Sequence, residues 1–346
     1  MASTMYYKTY LQLDTLLNAQ HPESYKTGKP AHDEMLFIII HQTYELWFKQ
    51  IIHELDSVRQ IFSKQFINDN APDLQVAVHR LKRVSTILKV LVHQIDILET
   101  MTPLDFLDFR DLLRPASGFQ SYQFKIIEAM LGLKFEQRFE QHYYVSHLQP
   151  QELELVRQAE QQPSLLDLVQ HWLERMPFLK NPEWWLEYQP LAPENTNRDF
   201  WTDYRCLYQQ SLSAEEQHYL QIFDEIFIKG NPTPGRLTPA ASRAALFIML
   251  YRDYPMLQLP FQLINTLLDL DELMAMWRYR HLNMVQRMIG SRIGTGGTSG
   301  KHYLKGALER HYVYVAFAEL TTFLIERSRL PQLPDRLKSA LGYSFS

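Results

Sequence analysis

One cysteine, Cys206, stands among 346 residues. Neither an intrachain disulfide nor a thiolate-cluster metal site can form, and a reducing compartment suits such a chain. Glycine is scarce at 12 residues, which disfavours a turn-rich β fold. Apolar runs such as Met35–Ile40 fall far short of the roughly 20 residues that span a bilayer. Basic residues number 35 against 39 acidic ones, a formal net charge of −4, and they are scattered without a basic block, which argues against general nucleic-acid binding. The opening MASTMYYK lacks the charged-then-apolar pattern of a secretory signal. A cytoplasmic protein that binds neither membrane nor nucleic acid is expected.

What the chain does have is 46% hydrophobic and 21% charged residues, an ordinary globular composition, distributed in long amphipathic runs. An all-α fold follows, one helical domain over 1–346 with a smaller helical lobe or insertion at about 138–234. Residues 5–17 place Tyr7, Tyr10, Leu13 and Leu17 at helical spacing; a segment so aromatic either packs on its own core or docks on a neighbouring subunit. His32–Phe62 reads as a long helix with two apolar stripes. One runs from Leu36 and Ile40 to Phe62, and the other joins Phe37, His41, Tyr44 and Phe48, so this helix is central. Nine residues at about 100° each put His32 and His41 on opposite sides, which excludes a zinc site from that pair. Pro72 opens a second long helix with apolar residues from Leu74 to Leu98.

Thr102-Pro103 reads as an N-cap and first turn, leading to Phe106, Phe109, Arg110 and Leu113. Arg110, on the apolar side, either snorkels to solvent or receives a buried anion. The turn 115–121 feeds a helix ending at Leu131, so Ser117 and Gly118 lie near a helix start with free N–H groups. Helices are expected over Gln149–Gln162, Ser164–Met176, Ser213–Ile228 and Ala240–Tyr251. Pro255 and Pro260 are expected to interrupt the chain before a long helix Phe261–Gly290. His302–Arg329 reads as a last helix, followed by a short polar tail.

The stretch Trp277–Gly300, WRYRHLNMVQRMIGSRIGTGGTSG, organises the rest. A helix carries His281 and then gives way to a loop with Gly294, Gly296, Gly297 and Gly300, which suits close approach to a ligand. The loop fails as a phosphate cradle, because Thr295 and His302 occupy the positions where a P-loop needs glycine and a hydroxyl residue. A di-iron centre would need two Glu-x-x-His pairs, and only Glu215–His218 has that spacing. A nucleophilic hydrolase would want a strand framework and a sharp Ser or Cys turn, and neither is present. A haem held by one histidine in an aromatic-walled pocket fits these residues best.

The runs YKTYLQLDTLL, HDEMLFIIIHQTYELWFKQIIHELDS, DFLDFRDLLRPASGFQSYQF and WRYRHLNMVQRMIGSRIGTGGTSGKHYL resemble, in order and over nearly the whole length, the signature blocks of the tryptophan 2,3-dioxygenase family. The resemblance implies an all-helical homotetramer with one haem b per subunit, ferrous when active. Such an enzyme uses O₂ as co-substrate to convert L-tryptophan to N-formyl-L-kynurenine, the first step of the kynurenine pathway. It further implies His281 as the proximal ligand of the haem iron, with Trp277 packing beside it, and His41 as the distal residue facing the indole N–H. Phe37, Phe106 and Leu113 would belong to the substrate wall, and Arg110 would grip the carboxylate. Thr295 would bind the substrate ammonium and carboxylate, and Ser117 and Gly118 would sit in the distal pocket. Tyr7 and Tyr10 would be inserted into a neighbouring subunit's site, and the loop Gly294–Gly300 would order around substrate. Two rivals stay open. One is a haem enzyme of the same superfamily acting on another aromatic substrate. The other is a haem-binding helical sensor or scaffold without activity.

Overall fold

The computed structural model describes residues 5–64, 72–191, 199–231, 237–294 and 300–342, without the side chains of 142–144. Among the described residues there is no strand. Three long helices form the frame: α1 (Glu34–Phe62), α2 (Pro72–Leu98) and a helix of 35 residues, Pro255–Ile289. Between these in the chain lie α3 (Tyr122–Leu131), α4 (Pro150–Gln161), α5 (Leu165–Glu174), α6 (Phe200–Ser211) and α7 (Pro239–Leu250). The 35-residue helix is therefore α8, and Gly300–Arg310 is α9.

The expected stripe on α2 is fully used. Leu74, Val78, Leu81, Val84, Leu88, Leu91, Ile95 and Leu98 are all buried, because α2 lies between α1 and α8 and must present apolar surface to both. Each such side chain contributes about 1.5–3 kcal/mol by leaving water. Two polar links fix how α1 sits on α2. The Tyr44 hydroxyl donates to the Leu91 carbonyl at 2.7 Å and Gln94 Nε2 donates to the Ile40 carbonyl at 3.1 Å. Helix α3 packs on α1, α4 on α3, and α5 on both α1 and α7. Within the stretch 138–234, Tyr204 and Tyr208 donate to the carbonyls of Phe323 and Thr322, tying it to the C-terminal part.

Several boundaries differ from the expectation. Residues 5–17 form two short helices, Tyr7–Tyr10 and Leu13–Leu17, separated by Gln12 at φ +52°. The acidic helix expected from Ser213 starts only at His218 and ends in a π-helical turn, Asp224–Ile228. Pro255 and Pro260 do not interrupt α8. Pro255 sits in its first turn, where a missing N–H costs nothing, while Pro260 lies inside the helix and is buried, so packing holds the turn despite one lost backbone bond.

The last helix stops at Arg310 rather than Arg329. The Asp271 carboxylate on α8 accepts the backbone N–H groups of Val313 and Tyr314, a side-chain substitute for helical bonding that turns the chain there. Short pieces follow, Val315–Glu319 and the 3₁₀ turn Leu320–Phe323. The tail is not merely polar: Asp335–Leu341 is helical and buries Leu337 and Leu341 completely. No helix among the described residues is long and apolar enough to cross a membrane.

Candidate functional site

The frame converges on one cavity of about 280 Å³. Helix α1 brings Phe37 and His41 to it, and α8 brings Trp277 and His281. The segment between α2 and α3 brings Phe106, Arg110, Ser117 and Gly118.

His41 is held by its own helix. Its Nδ1 lies 2.7 Å from the Phe37 carbonyl oxygen, which can only accept, so Nδ1 carries the proton and Nε2 keeps a lone pair. Burial holds the ring below its ordinary value, outweighing that bond and the nearby Glu45 carboxylate, so His41 is neutral. The Phe37 ring lies 4.1 Å from the His41 ring, stacks on Phe106 at 5.7 Å and meets Phe109 edge-on at 5.6 Å.

His281 is half-buried, like His41. Burial, with a smaller contribution from His41, pulls its ring down to about 4, so it too is neutral and able to donate a lone pair to a metal. Its Nδ1 is buried without a hydrogen-bond partner, an expensive arrangement for a ring nitrogen unless a ligand completes it. Trp277, one turn earlier, lies parallel to the His281 ring at 5.0 Å and 6°. Among the described residues no group of three or more His, Cys, Asp and Glu could hold a bare metal ion. A metal cofactor that carries its own donors, such as a porphyrin, needs only one imidazole of this kind. The only Glu-x-x-His pair forms no such centre: His218 Nδ1 contacts the Glu215 carbonyl at 2.9 Å, in an exposed position.

Arg110 does not snorkel. It is 5% exposed, its Nη2 donates to the Ile293 carbonyl, and its Nε is buried without a partner. The elements that place it are local. Thr102 and Asp105 form a reciprocal capping box around Pro103, and the 3₁₀ turn Arg110–Leu113 follows the short Pro103–Leu107 helix. A guanidinium with unspent donors beside an apolar cavity suits a carboxylate.

Other expected residues fall elsewhere. Leu113 is half-buried against the core and does not line the cavity. Ser117 and Gly118 do line it, but the Ser117 N–H is not free, because it donates to Gln120 Oε1 at 3.2 Å. Tyr7 and Tyr10 lie 75% and 68% exposed and line no part of this chain's cavity. Thr295 lies outside the described residues, as do Gly296 and Gly297; Gly294 and Gly300 flank that stretch and border the cavity.

Sequence reasoning missed a group of charges on the cavity wall: Lys125 and Glu128 from α3, Arg278 from α8, and His311. Lys125 and Glu128 interrupt the apolar run QFKIIEAML, and that interruption was the available signal. Burial pulls the Lys125 ammonium down to about 8, with Glu128 pulling the other way.

A family model described as Tryptophan 2,3-dioxygenase matches residues 1–324. Among curated proteins, the tryptophan 2,3-dioxygenase of Bdellovibrio bacteriovorus is 45% identical, the match covering 99% of each chain. That of Alteromonas mediterranea is 44% identical, over 98% of this chain and 97% of its own. That of Dictyostelium discoideum is 43% identical, over 99% of this chain and 89% of its own.

Proposed function

The chain belongs to the tryptophan 2,3-dioxygenase family, and on that premise we propose that it opens the indole ring of L-tryptophan with O₂ to give N-formyl-L-kynurenine, with one haem b per subunit held through His281. The observation that carries this reading is the pairing, in one cavity, of a neutral His281 whose buried Nδ1 lacks a partner with a buried Arg110 whose donors are not all used. The first suits a cofactor metal and the second an amino-acid carboxylate.

Bound haem would supply a ferrous centre for O₂, which as a triplet reacts slowly with a closed-shell indole. The chain's own contribution is position. Arg110 binds the carboxylate end in exchange for the Ile293 carbonyl. Phe37 and Phe106 enclose the ring. The His41 Nε2 lone pair, left free by the bond at Nδ1, accepts the indole N–H. That group is too weak an acid for imidazole to deprotonate fully, so His41 orients rather than acts as an obligatory base. Thr295 holds the ammonium and carboxylate. A site with two such amino-acid contacts disfavours a plain indole, which would leave them unpaired.

The exposed aromatics at the N-terminus, Tyr6, Tyr7 and Tyr10 with Met5, are more apolar surface than a free end retains without a partner. This supports a homotetramer in which the segment enters a neighbouring site. The test of the whole is the spectrum of reduced holoprotein with tryptophan, followed by N-formylkynurenine absorbance on admitting air. Product from ¹⁸O₂ carries two labelled atoms if the reading holds. Haem binding with no O₂ consumption would leave the sensor reading instead.

A further inference from the structure

Glu128 takes no part in that chemistry, yet it is the most heavily partnered carboxylate beside the cavity. Its Oε1 accepts Arg278 Nη2 at 2.6 Å, and its Oε2 accepts Arg138 Nη1 at 2.6 Å. His311 Nε2 accepts the Phe139 N–H at 3.0 Å, so its Nδ1 carries the proton and faces Glu128 Oε1 at 3.5 Å. The other branch of Arg278, Nη1, donates to the His311 carbonyl at 3.0 Å. Burial alone would push the Glu128 carboxyl up, but Arg138, Arg278 and His311 together hold it well below the usual carboxylate range. Glu160 faces Arg138 from α4 at 3.4 Å.

A buried charge network of this kind is a poor source of adhesion, since well-packed apolar groups of the same volume hold a core at least as well. What it supplies is a fixed geometry, and the geometry here concerns His281. Phe124 lies one turn before Glu128 on α3, and Trp277 is next to Arg278 on α8. The Phe124 and Trp277 rings are 4.7 Å apart, and Trp277 is parallel to His281 at 5.0 Å. Ion pair and ring stack thus join the same two helices within one turn of each other.

We propose that the Glu128–Arg278 ion pair is the positioning device for the His281 imidazole. It locks α3 against α8 so that the Phe124–Trp277–His281 stack fixes the ring's orientation. This rests on His281 being the iron ligand. Glu128 and Arg278 are positioning residues, acting on the cofactor only through that stack.

The test uses ferrous holoprotein and reads two quantities: the iron–histidine stretching band in resonance Raman, and the rate of haem transfer to apomyoglobin. Arg278→Gln shifts or splits the band and speeds haem loss at least tenfold. Arg138→Gln removes a guanidinium from the same carboxylate but not from α8, and leaves the band where the parent has it. Arg278→Lys keeps the charge without the two-branched contact; it carries the test should Arg278→Gln fail to fold, and its band moves in the same direction by less. An unmoved band in both Arg278 variants, or an equal movement in Arg138→Gln, overturns the proposal. Absence of any iron–histidine band in the parent protein overturns instead the ligand assignment, and the proposal with it.

Discussion

His41 and Phe37 are bound to each other across one turn of the same helix, the ring Nδ1 to the carbonyl oxygen at 2.7 Å. That bond dictates which nitrogen of the ring stays unprotonated, and so what the ring does for a neighbour carrying an N–H. His41→Ala is expected to lower turnover and raise the Michaelis constant for tryptophan without abolishing product. Complete loss of turnover, with haem and substrate still bound, would mean that His41 is a required base.

The same ring predicts a pH profile. Its proton affinity is lowered by burial below the ordinary value near 6.5, so the accepting nitrogen stays free at and just below that pH. The acid limb of kcat/KM attributed to His41 therefore lies under pH 6.5, and a limb centred above it would contradict the assignment.

Folding of the haem-free protein should follow the same sign. With His41 and His281 both depressed, the unfolded chain binds more protons below about pH 6.5. Stability falls as pH drops through that value and continues to fall toward about 4, where His281 titrates. The His281 share amounts to about 3 kcal/mol by linkage. Urea midpoints measured from pH 7.5 to 4 check it, with the His281→Phe protein expected to show a shallower decline.

Arg110→Ala removes a charge-assisted contact of about 1.5–3 kcal/mol, so the Michaelis constant for tryptophan should rise more than tenfold. An unchanged value in steady-state assays would remove Arg110 from the site.

Thr102→Ala breaks the capping box that starts the turn leading to Arg110. A loss of about 1 kcal/mol is expected, measured by equilibrium denaturation, together with weaker tryptophan binding because Arg110 is no longer held as firmly. A stability loss with no change in binding would uncouple the cap from the site.

The frame was legible in the sequence because long helices advertise themselves. The eight apolar positions from Leu74 to Leu98 predicted a face, and all eight are buried. Pro260 misled because a proline is costly by local rules, whereas here it lies buried within a helix that packing sustains. The break after Arg310 was invisible because its cause is distant: Asp271, some 40 residues earlier, captures the Val313 and Tyr314 N–H groups. Helical spacing pointed to His41 and His281 as special only weakly. The Glu128 cluster could not be read at all as a unit, since its members come from four separate stretches that only the fold brings together.

The length of α8 has a consequence for how this chain tolerates change. Asp271, Arg278 and His281 stand on one uninterrupted rod, the first tethered to Val313 and Tyr314, the second to Glu128, and the third facing the cavity. A single residue inserted between Asp271 and Arg278 would rotate everything beyond it by about 100°, swinging the imidazole away while the first anchor stayed put. Gains and losses of residues should therefore be tolerated in connections that do not border the cavity and ruinous within those few turns.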